Sequence, residues 1–346
     1  MRYAFSPEQQ AFGESATDLF ARHCSPGAQR LSWTDDSGRD PSLWRGVVDL
    51  GAPAILVSEE YDGFAGTECD LLPVLEEAGR QAVPDALLES VFVGPFALVA
   101  CGSEDQRRRW LPAIASGESR VTIALSEGGL VPDAHVSDLI VLARDGQLRI
   151  HEAGEVALER VHVEDPSRRL FQVTPRTEGE LLPASGDLRD QVVARELVGS
   201  AAVLNGIASH LLSATVAYAK ERQQFGRLIG SFQGVKHLLA DAFSKVELAT
   251  TAARAATWRV AAADPEGLAS ARLARICAVE AEFVANKVAL QVHGGIGFTF
   301  EHDLQLWLKR GKALEQSHGG RHRVARLGGL DAVASAQRDP QNEEDD

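Results

Sequence analysis

Between residues 189 and 320 the chain carries four successive apolar stripes, each at the spacing of one helix face. Val193, Leu197, Leu204, Ala208, Leu211 and Thr215 form the first. Leu238, Ala242, Val246, Ala249, Ala253 and Ala256 form the second, and Ala274, Cys277, Ala281, Val284, Val288 and Val292 the third. Leu304, Leu308 and Leu314 mark a shorter fourth. Residues three and four apart share one side of a helix, so each stripe needs an apolar partner. Four such helices with short connections cover one another as an antiparallel bundle.

The rest of the chain has a different grain. Up to about residue 120 the pattern predicts short helices. Ser6-Pro7 reads as a cap followed by proline at the first helical position. Leu43, Val47 and Leu50 share a face that stops at Gly51. Pro73 and Pro112 are expected to bend or shorten the helices that contain them. From 121 to about 185, runs such as VTIAL, LIVLA and VALERVHV are separated by Gly, Asp and Pro and read as strands. The expected fold is therefore mainly α with a small β domain. Its parts are an N-terminal helical domain (1–120), a reduced middle β domain (121–188) and a C-terminal four-helix bundle (189–330). An acidic, disordered tail (331–346) follows.

Composition narrows function. The net charge of −14 argues against nucleic acid, which requires a basic face. The four cysteines have neither metal nor redox spacing and read as reduced thiols of a cytoplasmic protein. No leader is visible at the N-terminus, and no uninterrupted apolar run looks long enough to cross a membrane. A metal site at His318 and His322 lacks a carboxylate or thiol to complete it.

Two segments point to chemistry. In RQQFGRLIGSFQGVKHLLAD, Arg222 and Phe225 stand three apart, as if on one helix face ended by Gly226. In QVHGGIGFTFEHD, Gln291 offers an amide, and Gly294-Gly295 lets backbone approach a ligand closely. Together, and in this order, they resemble the C-terminal signature of the acyl-CoA dehydrogenase family. FSPEQQAF, LGAPAILVSEEYDGFAG, VLEEAGR and RRRWLPAIASGE extend the resemblance over the N-terminal half. HVSDLIVLARDG and DPSRRL resemble its short actinobacterial members, many of which are heteromers of two related chains.

The resemblance implies a flavoenzyme that desaturates an acyl-CoA thioester and passes electrons to an electron-transferring flavoprotein. FAD would lie between the β domain of one subunit and the bundle of another. Arg222, Phe225, Gln233, Gln291, Gly294 and Gly295 match the family's flavin contacts. Ser126, in Ser126-Glu127-Gly128-Gly129, stands where the family usually has a Thr-Glu pair. The usual base position falls on His318 or Gly319, with Glu315 one turn earlier. A minority of the family places the base 26 residues before the motif arginine, which here is Glu196. Its helical neighbours, Val192, Val193, Gly199, Ser200 and Val203, are apolar or small, which favours a desolvated carboxylate. The competing expectation is a surface glutamate paired with Arg189 or Arg195. Two other functions stay open: a non-catalytic subunit completing a partner's FAD site, and a flavin oxidase. Gly199, Ser200, Ala201 and Ala202 suggest room for a bulky acyl chain.

Overall fold

The computed structural model describes residues 4–184, 186–317, 320, 326 and 329. His318, Gly319 and the acidic tail lie outside the described residues. The N-terminal part holds α1 (Pro7–His23), α2 (Pro26–Ser32), α3 (Pro41–Asp49), α4 (Glu68–Arg80), α5 (Gly94–Cys101) and α6 (Glu104–Ala115). Ser6 caps α1 reciprocally with Gln9, behind Pro7. Pro73 and Pro112 do not end their helices. Each sits inside a continuous one, in α4 and α6 respectively. A π-helical turn, Leu88–Val93, leads into α5.

Seven strands follow between Val121 and Leu182. They are β1 (Val121–Ala124), β2 (Val131–Pro132), β3 (Leu139–Arg144), β4 (Gln147–Glu152), β5 (Val156–Val161), β6 (Leu170–Pro175) and β7 (Glu180–Leu182). They make two sheets, ordered β1-β3-β4-β7 and β2-β6-β5. β1 and β3 are parallel; the other pairs in these sheets are antiparallel.

The bundle consists of α7 (Gly186–Glu221), α8 (Gln233–Ala261), α9 (Gly267–His293) and α10 (Leu304–Gln316). α4 packs across α7 and α8. At that crossing Gly206 faces the Glu76 carbonyl, and Gly79 faces the Val203 carbonyl. Two glycines thus let the backbones of α4 and α7 nearly touch. By length and composition α7 is apolar enough to cross a membrane, contrary to the sequence expectation, and most of its apolar stretch is buried inside the fold. The second stripe also needs one correction: Ala242 to Ala256 are buried, but Leu238 is 40% exposed. Phe243, Leu248 and Trp258 are also exposed, so several sides of α8 present apolar side chains to solvent.

Candidate active site

A cavity of about 930 Å³ opens between the β sheets, the bundle and the π-helical turn. Leu88, Ile123, Leu125, Leu170 and Leu308 give it apolar walls. Glu196 and Ser200, one turn apart on α7, both reach it, as does Ser126 from the loop after β1. The alternative partners of Glu196 are engaged elsewhere. Arg195 makes a buried ion pair with Glu68 at 2.5 Å, and Arg189 donates to the Gly146 carbonyl. The small residues beside Glu196 serve packing more than volume. Gly199 leaves room for Leu88 and Phe92, Ala201 and Ala202 are fully buried, and only Ser200 lines the cavity.

Several charged groups, most of them not singled out by sequence reasoning, lie in or near this cavity. Glu89, on the π-helical turn, and Arg168, before β6, line the same cavity. Burial pushes the Glu89 carboxyl up to about 7, with Arg168 opposing the rise and Glu196 adding to it. Arg275, fully buried on α9, is lowered to about 10 by burial, against the attraction of Glu196, Glu282 and Glu315. Its Nη2 donates to the Leu314 carbonyl at 2.6 Å. Glu282 is raised to about 7, chiefly by burial. Glu315 is buried, pairs with Lys312 and does not line the cavity.

The other motif residues lie elsewhere. α7 ends at Glu221, so Arg222 and Phe225 do not share a helix face. Gln223–Gln224 pairs with Arg227–Leu228 as a β-hairpin. Phe225 (φ 55°) and Gly226 (φ 77°) are its two turn residues. Positive φ at both positions matches the twist of paired strands, so the glycine makes a hairpin tip rather than a helix end. Phe225 stands 92% exposed there. Tyr218, one turn before Arg222, stacks on His293 with ring centroids 4.3 Å apart. This contact brings the hairpin beside Gln291 and Gly294, and Gln233 begins α8 just beyond. Gly294 has φ 62°, and no atom lies within 4 Å of a Cβ placed on Gly294 or Gly295. The motif residues thus gather at one end of the bundle, all exposed except the half-buried Gly294, and none of them lines the cavity.

Two family models match the chain: the acyl-CoA dehydrogenase N-terminal domain over residues 6–118 and the C-terminal domain over 192–326. The chain belongs to the acyl-CoA dehydrogenase family. These are flavoprotein oxidoreductases of lipid metabolism. Acyl-CoA dehydrogenase IpdE2 of Mycobacterium tuberculosis is 35% identical over 88% of this chain and 90% of its own. A solved steroid acyl-CoA dehydrogenase, Tcur3481-Tcur3483 in its G363A variant, superposes with a TM-score of 0.85 at 26% identity, covering 95% of this chain and 99% of that one. An acyl-CoA dehydrogenase from Bacillus anthracis complexed with FAD shares the fold (TM-score 0.85, 18% identity, 97% of this chain and 68% of that one). A flavin dinucleotide suits the acyl-CoA dehydrogenase motif seen here. Arg222 offers a cation for pyrophosphate, Phe225 a face for flat rings, and Gly294-Gly295 an open backbone.

Proposed function

We propose that this chain is an FAD-dependent acyl-CoA dehydrogenase whose active site is completed by a second, related chain, and that Glu196 is its base. One observation carries the shared site. Glu196 lies on α7 and Arg222 just beyond its end, 26 residues on, or roughly 39 Å at the rise of an α-helix. A single chain therefore holds cavity and hairpin far apart. A partner packed against an exposed side of α8 can present its own hairpin to this cavity. In the assembly, Arg222, Phe225, Gln233, Gln291, Gly294 and Gly295 of one chain hold the dinucleotide, and Ser126 of the other faces the flavin ring.

FAD held by these residues would supply an acceptor for the hydride that leaves the substrate's β-carbon. The carboxylate of Glu196 takes the α-proton in the same event and becomes a neutral acid. Apolar walls around it keep water from competing for that proton. An electron-transferring flavoprotein of the cytoplasm would be the electron acceptor for this assembly. On this reading the chain divides into an N-terminal helical domain (1–120), a small β domain (121–188), a C-terminal bundle (189–330) and an acidic tail (331–346).

The test is purification of the chain alone and with candidate partner chains, followed by flavin absorbance and acyl-CoA-dependent bleaching. A preparation that never carries flavin with any related partner overturns the reading. A flavin-loaded complex whose bleaching depends only on a glutamate of the partner leaves this chain a completing subunit.

A further inference from the structure

We propose that Arg275 is a positioning residue for the base: from behind the cavity wall it holds the end of α10 and serves as the fixed counter-charge of Glu196. The inference rests on the reading of Glu196 as the base and deepens it.

Arg275 is fully buried on α9. Its Nη2 donates to the Leu314 carbonyl at 2.6 Å and to the Ser317 hydroxyl at 3.2 Å. Leu314 and Ser317 line the same cavity as Glu196, and Arg275 does not, so the guanidinium lies immediately behind that wall. Leu314 is near the C-terminal end of α10, where the last carbonyls lack partners within the helix and favour a cation. Two turns along α9, Glu282 sits against Gly311 of α10. One turn further, Asn286 donates to the Glu282 carboxylate at 3.1 Å and to the Leu308 carbonyl at 3.4 Å. Arg275, Glu282 and Asn286 thus form a polar row on α9 that fastens α10 in place.

Fastening the helix uses only one nitrogen of Arg275. Among the described residues, its Nε and Nη1 are buried with no hydrogen-bond partner. A guanidinium so placed is costly unless carboxylates balance its charge. Three attract it. Glu196, on the α7 helix that packs along α9, does so most strongly, ahead of Glu282 and Glu315. Glu315 is already paired with Lys312. Burial pushes Glu282 up to about 7, so it is only partly ionised at neutral pH. Arg168 is a second cation and opposes the charge of Arg275. Glu196 is therefore the principal counter-charge. The benefit is mutual. Carboxyls in this part of the fold tend to stay protonated, and Glu89, at the same cavity, is also pushed up to about 7, chiefly by burial. A base has to be ionised when acyl-CoA fills the cavity and displaces water. A cation fixed behind Glu196 opposes its protonation and, being tied to α10, cannot swing into the cavity itself.

Glu196→Gln in the full chain separates a counter-charge from a bystander. A desolvated carboxylate with no cation beside it should gain stability when made neutral. Loss of the partner of Arg275 instead leaves a buried guanidinium unbalanced, so the melting temperature at pH 7 should fall by about 2 °C or more. An unchanged or higher melting temperature overturns the inference, whether or not any Arg275 variant folds, and leaves the acyl-CoA reading intact. Arg275→Gln keeps a donor for the Leu314 carbonyl but no charge, and Arg275→Lys keeps the charge. Anaerobic bleaching of the flavin-loaded assembly should be about tenfold or more slower in Arg275→Gln, because an apolar site without its cation favours the neutral carboxyl. Acyl-CoA affinity should stay within about twofold of the parent's, since the loss falls on the chemical step. Arg275→Lys should recover most of the rate. Equal slowing in both variants would make Arg275 a helix pin alone and overturn the inference. Undiminished reduction in Glu196→Gln would sink the base reading and this inference together.

Discussion

Gly206 on α7 and Glu76 on α4 meet backbone to backbone: a methyl on Gly206 would fall inside the van der Waals sphere of the Glu76 carbonyl oxygen. That oxygen belongs to the helix ladder and cannot swing aside. Gly206→Ala should gain helix propensity yet still lose about 1–3 kcal/mol overall, because an overpacked crossing forces α4 away from α7. A thermal melt that shows no loss would mean the crossing yields more easily than its geometry indicates.

Glu196→Gln tests the base. The amide keeps size and polarity but cannot take a proton. Flavin content should stay as in the parent, while flavin reduction by substrate slows about 10²–10⁴-fold or more. Anaerobic stopped-flow bleaching reads the rate. Glu315→Gln is the matched control. Glu315 does not itself line the cavity and pairs with Lys312, which does, so its loss should change stability more than reduction.

The hairpin is tested by Arg222→Ala and Phe225→Ala. Both side chains are exposed in the single chain, so neither substitution should disturb its fold. Removing the Arg222 contact should cost about 1.5–3 kcal/mol of cofactor binding, the range for hydrogen bonds to charged groups. The ratio of flavin to protein absorbance after gel filtration reports this. Full flavin occupancy in the double variant would remove the hairpin from the site.

Glu282 provides a pH prediction. Burial raises its carboxyl from the usual glutamate value of 4.5 to about 7. The folded state therefore holds this proton where the unfolded chain has released it. Stability is favoured below pH 4.5, and the favour is lost progressively as pH rises from there to about 7. Glu282→Gln, which keeps the shape and a partner for Asn286, should remove that dependence. Its melting temperature relative to the parent should be higher at pH 8 than at pH 5. An identical difference at both values would show that Glu282 does not ionise in this window.

The bundle was legible because its signal is redundant: a stripe such as Ala242 to Ala256 repeats over several turns, and one exposed member, Leu238, does not hide it. The hairpin was not. Phe225-Gly226 offers a glycine after a long helical pattern, and the same glycine serves a helix cap or a two-residue turn. The choice depends on pairing four residues across the turn, which no local preference announces. Strands β4, β6 and β7 escaped for a similar reason. β7 has only three residues, and QLRIHE alternates only weakly once His151 is buried with its aliphatic neighbours. In the cavity, counting back from Arg222 reaches Glu196, which the structure places in the wall. Glu89 gave no such handle. Its direction depends on a π-helical turn seated against Gly199, a tertiary contact with no periodicity.

The distance between cavity and hairpin along α7 also sets a stoichiometry. On the proposed shared site, each cavity of a pair would borrow the other chain's hairpin, so two identical copies would make two working centres. Two different chains need keep only one cavity and one hairpin between them. In a mixed pair of one parent and one substituted copy, a change at Glu196 would silence the copy's own centre and spare the other, whereas loss of Phe225 would be felt only in the neighbour. The number of turnovers per assembly becomes a property of the pairing, and a gene for either chain can be under selection for a half it never uses itself.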